Sequence, residues 1–137
     1  MPDLFGINHL TLATTDLDRL TAFYTGLLGA RLAFERPATP DAPRIAILDV
    51  GGADHLMLVE TSDPAPPGPD PLGRAGWGLR LATYDQLCTV REVMLSAGVE
   101  AAPIETLPTQ WTMTTHDPDG RPVDLRVHRP TTPRDQV

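Results

Sequence analysis

The amino-acid sequence predicts an α+β fold built from two βαβββ modules. Three observations lead there: one order of hydrophobic periods occurs twice, the copies match at a single offset, and a Pro-rich stretch separates them.

In the first copy, "INHLTLAT" (7–14) alternates and reads as a strand. Asp16 is a good N-cap for "LDRLTAFYTGLL", in which Leu17, Leu20, Phe23, Tyr24, Leu27 and Leu28 fall at helical spacing. Gly29 ends that helix. "ARLAFER" (30–36), "RIAILDV" (44–50) and "HLMLVET" (55–61) read as three further strands, separated by Pro37 to Pro43 and by Gly51-Gly52. Residues 62–74 form a Pro/Gly-rich linker. The same order then returns: a strand "WGLRLAT" (77–83), a helix led by Asp85 and stopped by Gly98, and strands near 99–106, 110–116 and 122–128. The modules span 5–61 and 75–128, and 129–137 is a polar tail.

The repeat holds in register. A shift of 69 residues places Leu10 on Leu79, Leu12 on Leu81, Ala13-Thr14 on Ala82-Thr83, Asp16 on Asp85, and Gly29 on Gly98. Strand, helix cap and helix stop therefore recur together.

The chain has 137 residues, a net charge of −7 and no Lys, so all 11 cations are Arg. Without a basic cluster, nucleic acid and anionic membranes are not expected partners. No apolar run is long enough to span a bilayer and "MPDLFG" is not a signal peptide, so a cytoplasmic protein is expected. Cys88 is the single cysteine and falls in the second helix, where a buried structural thiol is expected. No P-loop, dinucleotide loop, nucleophile elbow or CxxC is present.

The segment "HDPDGRPVDLRVH" (116–128) is a turn followed by a strand with Val123, Leu125 and Val127 on one face and Asp124, Arg126 and His128 on the other. A carboxylate in mid-strand is costly if buried alone. Asp124 must face a metal, a ligand, a salt-bridge partner or water.

The stretches "INHLTLATTDLDRLTAFYTGLLGARLAFE" and "HDPDGRPVDL" resemble the vicinal oxygen chelate superfamily of glyoxalase I, fosfomycin- and bleomycin-resistance proteins and extradiol dioxygenases. The resemblance covers about residues 5–128. It implies that each module curls its mixed sheet into a half-barrel cup with helices on the outer face, and that modules pair to enclose a cavity, commonly in a homodimer. Metal-dependent members carry a ligand on the first and last strand of each module. Carried over, those positions are His9 and Met57 in module one and Gly78 and Asp124 in module two. Only His9 and Asp124 are donors, and a third ligand from His55, His116, Glu60 or His128 would need another geometry.

With His9 facing the cup, strand parity adds Thr11, Met57, Val59, Gly78, Arg80, Asp124 and Arg126 as ligand-binding candidates. Trp111 and Met113 give one strand an apolar face, which is either core under the second helix or a wall of the cavity. Trp77 has the parity of the helix side and is expected in the core. The expectation is a protein without cofactor that sequesters an apolar or aromatic natural product, as in antibiotic self-resistance. The acidic surface suits a cationic one. The competing expectation is an enzyme. It would be a lyase, isomerase or dioxygenase using a divalent metal on His9 and Asp124, or an acid/base catalyst with either residue as proton carrier.

Overall fold

The structure, a computed structural model, describes residues 3–4, 6–62 and 77–130. The chain divides into two compact units, Met1–Pro66 and Pro67–Val137. The linker at 62–74 and the tail at 129–137 fall outside the described residues, apart from Ser62, Arg129 and Pro130.

Unit 1 contains β1 (His9–Thr14), α1 (Leu17–Ala22) running on into a π-helical turn (Phe23–Leu27), β2 (Arg31–Arg36), β3 (Ile45–Asp49) and β4 (His55–Glu60). Its sheet has the order β1-β4-β3-β2, with β1 parallel to β4 and the other pairs antiparallel. Unit 2 contains β5 (Gly78–Arg80), α2 (Tyr84–Ser96), β6 (Glu105–Thr106), β7 (Gln110–His116) and β8 (Pro122–His128), in the order β5-β8-β7-β6. Here too the first and last strands run parallel and the rest antiparallel. Each unit is thus a βαβββ module with a four-stranded open sheet.

Alternation decides what each sheet buries. In unit 1, Leu12, Ala46, Leu48, Leu56 and Leu58 form the buried face, together with Leu17, Leu20, Phe23 and Tyr24 of the helix. Phe23 and Tyr24 meet edge to face, with ring centroids 5.1 Å apart. In unit 2 the same role falls to Met113, Thr115, Val123, Leu125 and Val127, with Leu87 and Met94 from α2. Asp16 caps α1 by accepting the Arg19 N–H at 3.0 Å. Gly29 (φ +76°) and Gly98 (φ +75°) follow the two helices in the same left-handed conformation, which Gly adopts without steric cost.

The copies diverge where local chemistry differs. α2 is capped by the Thr83 hydroxyl, which accepts the Gln86 N–H at 3.2 Å, so Asp85 lies in the first turn and does not repeat the role of Asp16. The strand expected over 77–83 is ordered as a strand only at Gly78–Arg80, because the chain turns into the Thr83 cap. The strand expected near 99–106 is reduced to β6 and one isolated bridge between Ala101 and Thr115, since Pro103 has no N–H to give a ladder. Cys88 is half-buried, and its thiol, one turn from Tyr84, raises the tyrosine above its usual pKa. Among the described residues no helix is long and apolar enough to cross a membrane.

Candidate functional site

The face of each sheet turned away from its helix carries the predicted site residues other than Trp111 and Met113. In unit 2 this face is a polar depression of about 480 Å³. Its lining includes Gly78, Arg80, Gln110, Asp124, Arg126 and His128, with atoms of Trp77 and Leu79 at one side. Trp77 is half-buried at this wall, not in the core as its parity suggested.

The residues come together because β5, β8 and β7 are adjacent. Gly78 is the Cα partner of Asp124 and Arg80 that of Arg126 across the parallel β5/β8 pair. Thr114 faces Asp124, Thr112 faces Arg126 and Gln110 faces His128 across β7/β8. Asp124 Oδ1 accepts the Thr114 hydroxyl at 2.8 Å and its Oδ2 accepts Arg126 Nη2 at 3.3 Å. Arg126 is held from its other side, donating Nη1 to Gln110 Oε1 at 3.2 Å. The bonds fix a carboxylate that remains 32 % exposed at its side chain. Sequence reading omitted Thr114 and Gln110; the parity of "QWTMTT" places them opposite Trp111 and Met113, the signal that could have found them.

Gly78 has a further reason to be glycine. A Cβ built there would lie 3.1 Å from the Asp124 carbonyl oxygen and 3.3 Å from Asp124 Cβ, tighter than ordinary van der Waals contact. The position is not simply a vacated ligand with room to fill.

In unit 1 the corresponding face is different. His9, Thr11 and Ala13 are exposed on β1; Met57 and Val59 on β4 are half-buried beside Ile45 and Ile47 of β3. Phe34 of β2 is the Cα partner of Ile47 and is 51 % exposed. Ile45, Ile47 and Phe34 were missed because their strand partners, not their own sequence, put them beside Met57. The centre of this face is apolar. One end carries a row of Cα partners, His9, His55, Asp49 and Arg31. His9 Nδ1 lies 2.9 Å from Asn8 Oδ1, and Asp49 is held below the usual carboxylate range by the Gly51 N–H and by Arg31.

Two expectations need correction. Trp111 and Met113 do not line either open face. They are the Cα partners of Val127 and Leu125 on the buried face, Met113 is fully buried, and Trp111 packs against Tyr84 of α2 with centroids 4.8 Å apart and the rings tilted by 53°. Arg129 lies over the same indole ring at 5.7 Å. The counterpart of Asp124 in unit 1 is also not Met57. The ladders pair His9 with His55 and Gly78 with Asp124, so His55 occupies the equivalent place and Met57 corresponds to Arg126. Glu60 is directed elsewhere, accepting the Leu17 N–H at the start of α1 at 3.0 Å. His116 and His128 are exposed at the two ends of the β7/β8 ladder.

The donor chemistry can be tested against a resident divalent metal. At the four equivalent places unit 1 offers two imidazoles, His9 and His55. Unit 2 offers Asp124 alone, with both oxygens engaged and a guanidinium alongside that repels a cation. Among the described residues no three His, Cys, Asp or Glu side chains are gathered to hold a metal ion. A catalytic zinc site takes three protein ligands and keeps a position open. The residues within either unit do not fit such a centre.

Comparison with known proteins agrees with the architecture. Solved structures with this fold include a glyoxylase/bleomycin resistance protein/dioxygenase domain from Frankia sp. EAN1pec, 22% identical, with TM-score 0.75 over 93% of this chain and 100% of that one. TnmS3, an antibiotic binding protein from Streptomyces sp. CB03234, is 21% identical, with TM-score 0.73 over 94% and 100%. A lactoylglutathione lyase from Agrobacterium tumefaciens is 16% identical, with TM-score 0.68 over 92% and 96%. These likenesses are of fold. No curated protein matches the sequence. The family model of the Glyoxalase/Bleomycin resistance protein/Dioxygenase superfamily matches residues 6–125, and the chain belongs to that superfamily.

Proposed function

We propose that the protein binds an apolar or aromatic small molecule without a resident metal and sequesters it, as an antibiotic-resistance protein would. The observation that carries this reading is the state of Asp124: a carboxylate closed by a hydroxyl and a guanidinium, opposite a glycine, is suited to holding polar groups and ill-suited to a dication. Taken by itself, the unit 1 face supports the apolar part of the reading, because Phe34, Ile47, Met57 and Val59 give it an apolar centre of the kind that lines small-molecule sites. A homodimer belongs to the same proposal, since each open sheet leaves edge strands that pairing would cover.

A second reading has one observation in its favour. His9 is exposed, and its Nδ1 is engaged by Asn8, which leaves Nε2 to serve as a proton carrier. That reading is an acid/base enzyme.

The test is elemental analysis of protein purified without chelator, joined to a thermal-shift screen of planar polycyclic compounds. Binding without turnover, and metal near zero in both wild type and His9→Ala, is expected. Stoichiometric metal that disappears in His9→Ala, or turnover abolished by that change, overturns the binding reading.

A further inference from the structure

The unit 2 depression inverts the charge of the molecule around it. The chain carries −7 overall, yet this hollow presents two guanidinium groups and one carboxylate. Arg80 and Arg126 are Cα partners on neighbouring parallel strands, so their side chains leave the sheet side by side on the same face. Like charges placed directly opposite oppose folding unless something compensates them. Asp124 compensates Arg126, and does so with one oxygen, the other being taken by Thr114. Among the described residues Arg80 has no acceptor and no carboxylate partner. Arg126 is pre-positioned between Gln110 and Asp124, while its side chain stays 43 % exposed.

We infer that this depression reads an anionic oxygen pair, that of a carboxylate borne on an otherwise apolar or aromatic ligand. The inference rests on the binding reading above and adds the ligand's charge. A planar guanidinium presents parallel N–H donors that match the two oxygens of a carboxylate, and a second guanidinium beside it supplies the charge that Asp124 leaves uncompensated. Arg126 serves as the fixed donor and Arg80 as the mobile one that closes on the bound group. The acidic remainder of the surface then disfavours nonspecific anion binding, so that selectivity is confined to this hollow. A cationic ligand, which net charge alone suggested, would meet two arginines here.

Three probes with the same ring separate the possibilities: 2-naphthoate, 2-naphthamide and 2-naphthylmethylammonium. Their affinities for the full chain are measured by calorimetry at low and moderate salt. Naphthoate is expected to bind at least tenfold more tightly than the amide, with the ammonium weakest and naphthoate affinity falling as salt rises. Arg80→Gln should remove roughly tenfold of the preference, and Arg80→Lys should restore part of it. Asp124→Asn should tighten naphthoate, because it removes the competing carboxylate; a purely structural role for Asp124 would weaken it. Arg80 is exposed on a three-residue strand, so its variants are not expected to alter the fold, which a circular dichroism spectrum checks. Equal binding of acid and amide, insensitive to Arg80, overturns the anionic inference and leaves the binding reading standing. Preference for the ammonium overturns it in favour of a cationic ligand. If none of the three binds, the binding reading itself falls, and this inference with it.

Discussion

The two open faces share a topology and differ in chemistry. At matching places in the ladders, unit 1 has His9 beside His55 and unit 2 has Gly78 beside Asp124; one step along, unit 1 has Thr11 beside Met57 and unit 2 has Arg80 beside Arg126. The backbone frame is repeated, so the strand positions were kept while the side chains were free to diverge. One face became apolar at its centre and the other became a charged hollow. A duplicated fold can thus carry an apolar face in one copy and a charged hollow in the other at equivalent positions, with neither copy holding a full set of metal donors among the described residues.

The comparison can be broken most sharply at the His9/Gly78 pair. Gly78→Val places a Cβ 3.1 Å from the Asp124 carbonyl oxygen, and we expect it to destabilise the protein by about 1–3 kcal/mol. His9→Val, at the exposed equivalent in unit 1, should change stability by no more than about 0.5 kcal/mol. Urea denaturation followed by fluorescence decides it. Equal losses would mean that the two strand pairs approach alike and that glycine at position 78 has no packing cause.

A smaller effect tests the division of labour. Phe34→Ala removes an aromatic ring that is half out of water, so it should lower affinity for naphthalene-based probes by roughly three- to tenfold with little change in stability. Unchanged affinity would show that the unit 1 face does not bind these probes. Smaller again is Thr114→Val. It deletes the hydroxyl donor to Asp124 and should cost about 1 kcal/mol, read as a lower urea midpoint at unchanged slope. An equal loss when Thr114→Val is made on top of Asp124→Ala would show that the bond contributes nothing.

The smallest effect belongs to acid. Asp18 is held below its ordinary value mainly by its hydrogen bond to Arg44, and Asp49 by the Gly51 N–H and Arg31. A carboxylate depressed in the folded state contributes stability that is present above its unfolded pKa of about 4. That contribution is lost as pH falls through the folded value. Asp18 is exposed and Asp49 is half-buried with an exposed arginine partner, so the contribution is small. Asp49→Asn should flatten the stability–pH curve slightly below about pH 4, while at pH 7 it leaves the slope unaltered and the stability slightly lower. A flattening at pH 7 instead would locate the titrating group elsewhere.

Much of the architecture was legible in the sequence. The repeat at 69 residues, the helix stops at Gly29 and Gly98, the Asp16 cap and the alternation of β8 all follow from local rules of periodicity and backbone conformation. Those rules act between near neighbours along the chain, which is why one sequence suffices to apply them. Parity also put His9, Thr11, Met57, Val59, Arg80, Asp124 and Arg126 on open faces. It could not choose the face of β7, because "QWTMTT" offers apolar residues on one side and hydroxyls on the other. The packing of α2 decided that Trp111 and Met113 go inward, leaving Gln110, Thr112 and Thr114 for the site. Nor could it align β1 with β4. Which residue lies across from His9 depends on inter-strand hydrogen bonds between segments far apart in the chain; the folded ladder puts His55 there, and the 69-residue shift, which places His55 on Asp124, already singles it out over Met57. The closed state of Asp124 and the tightness at Gly78 have the same origin. They are contacts across strands, set by tertiary packing within a few tenths of an ångström, and no periodicity in a single segment encodes them.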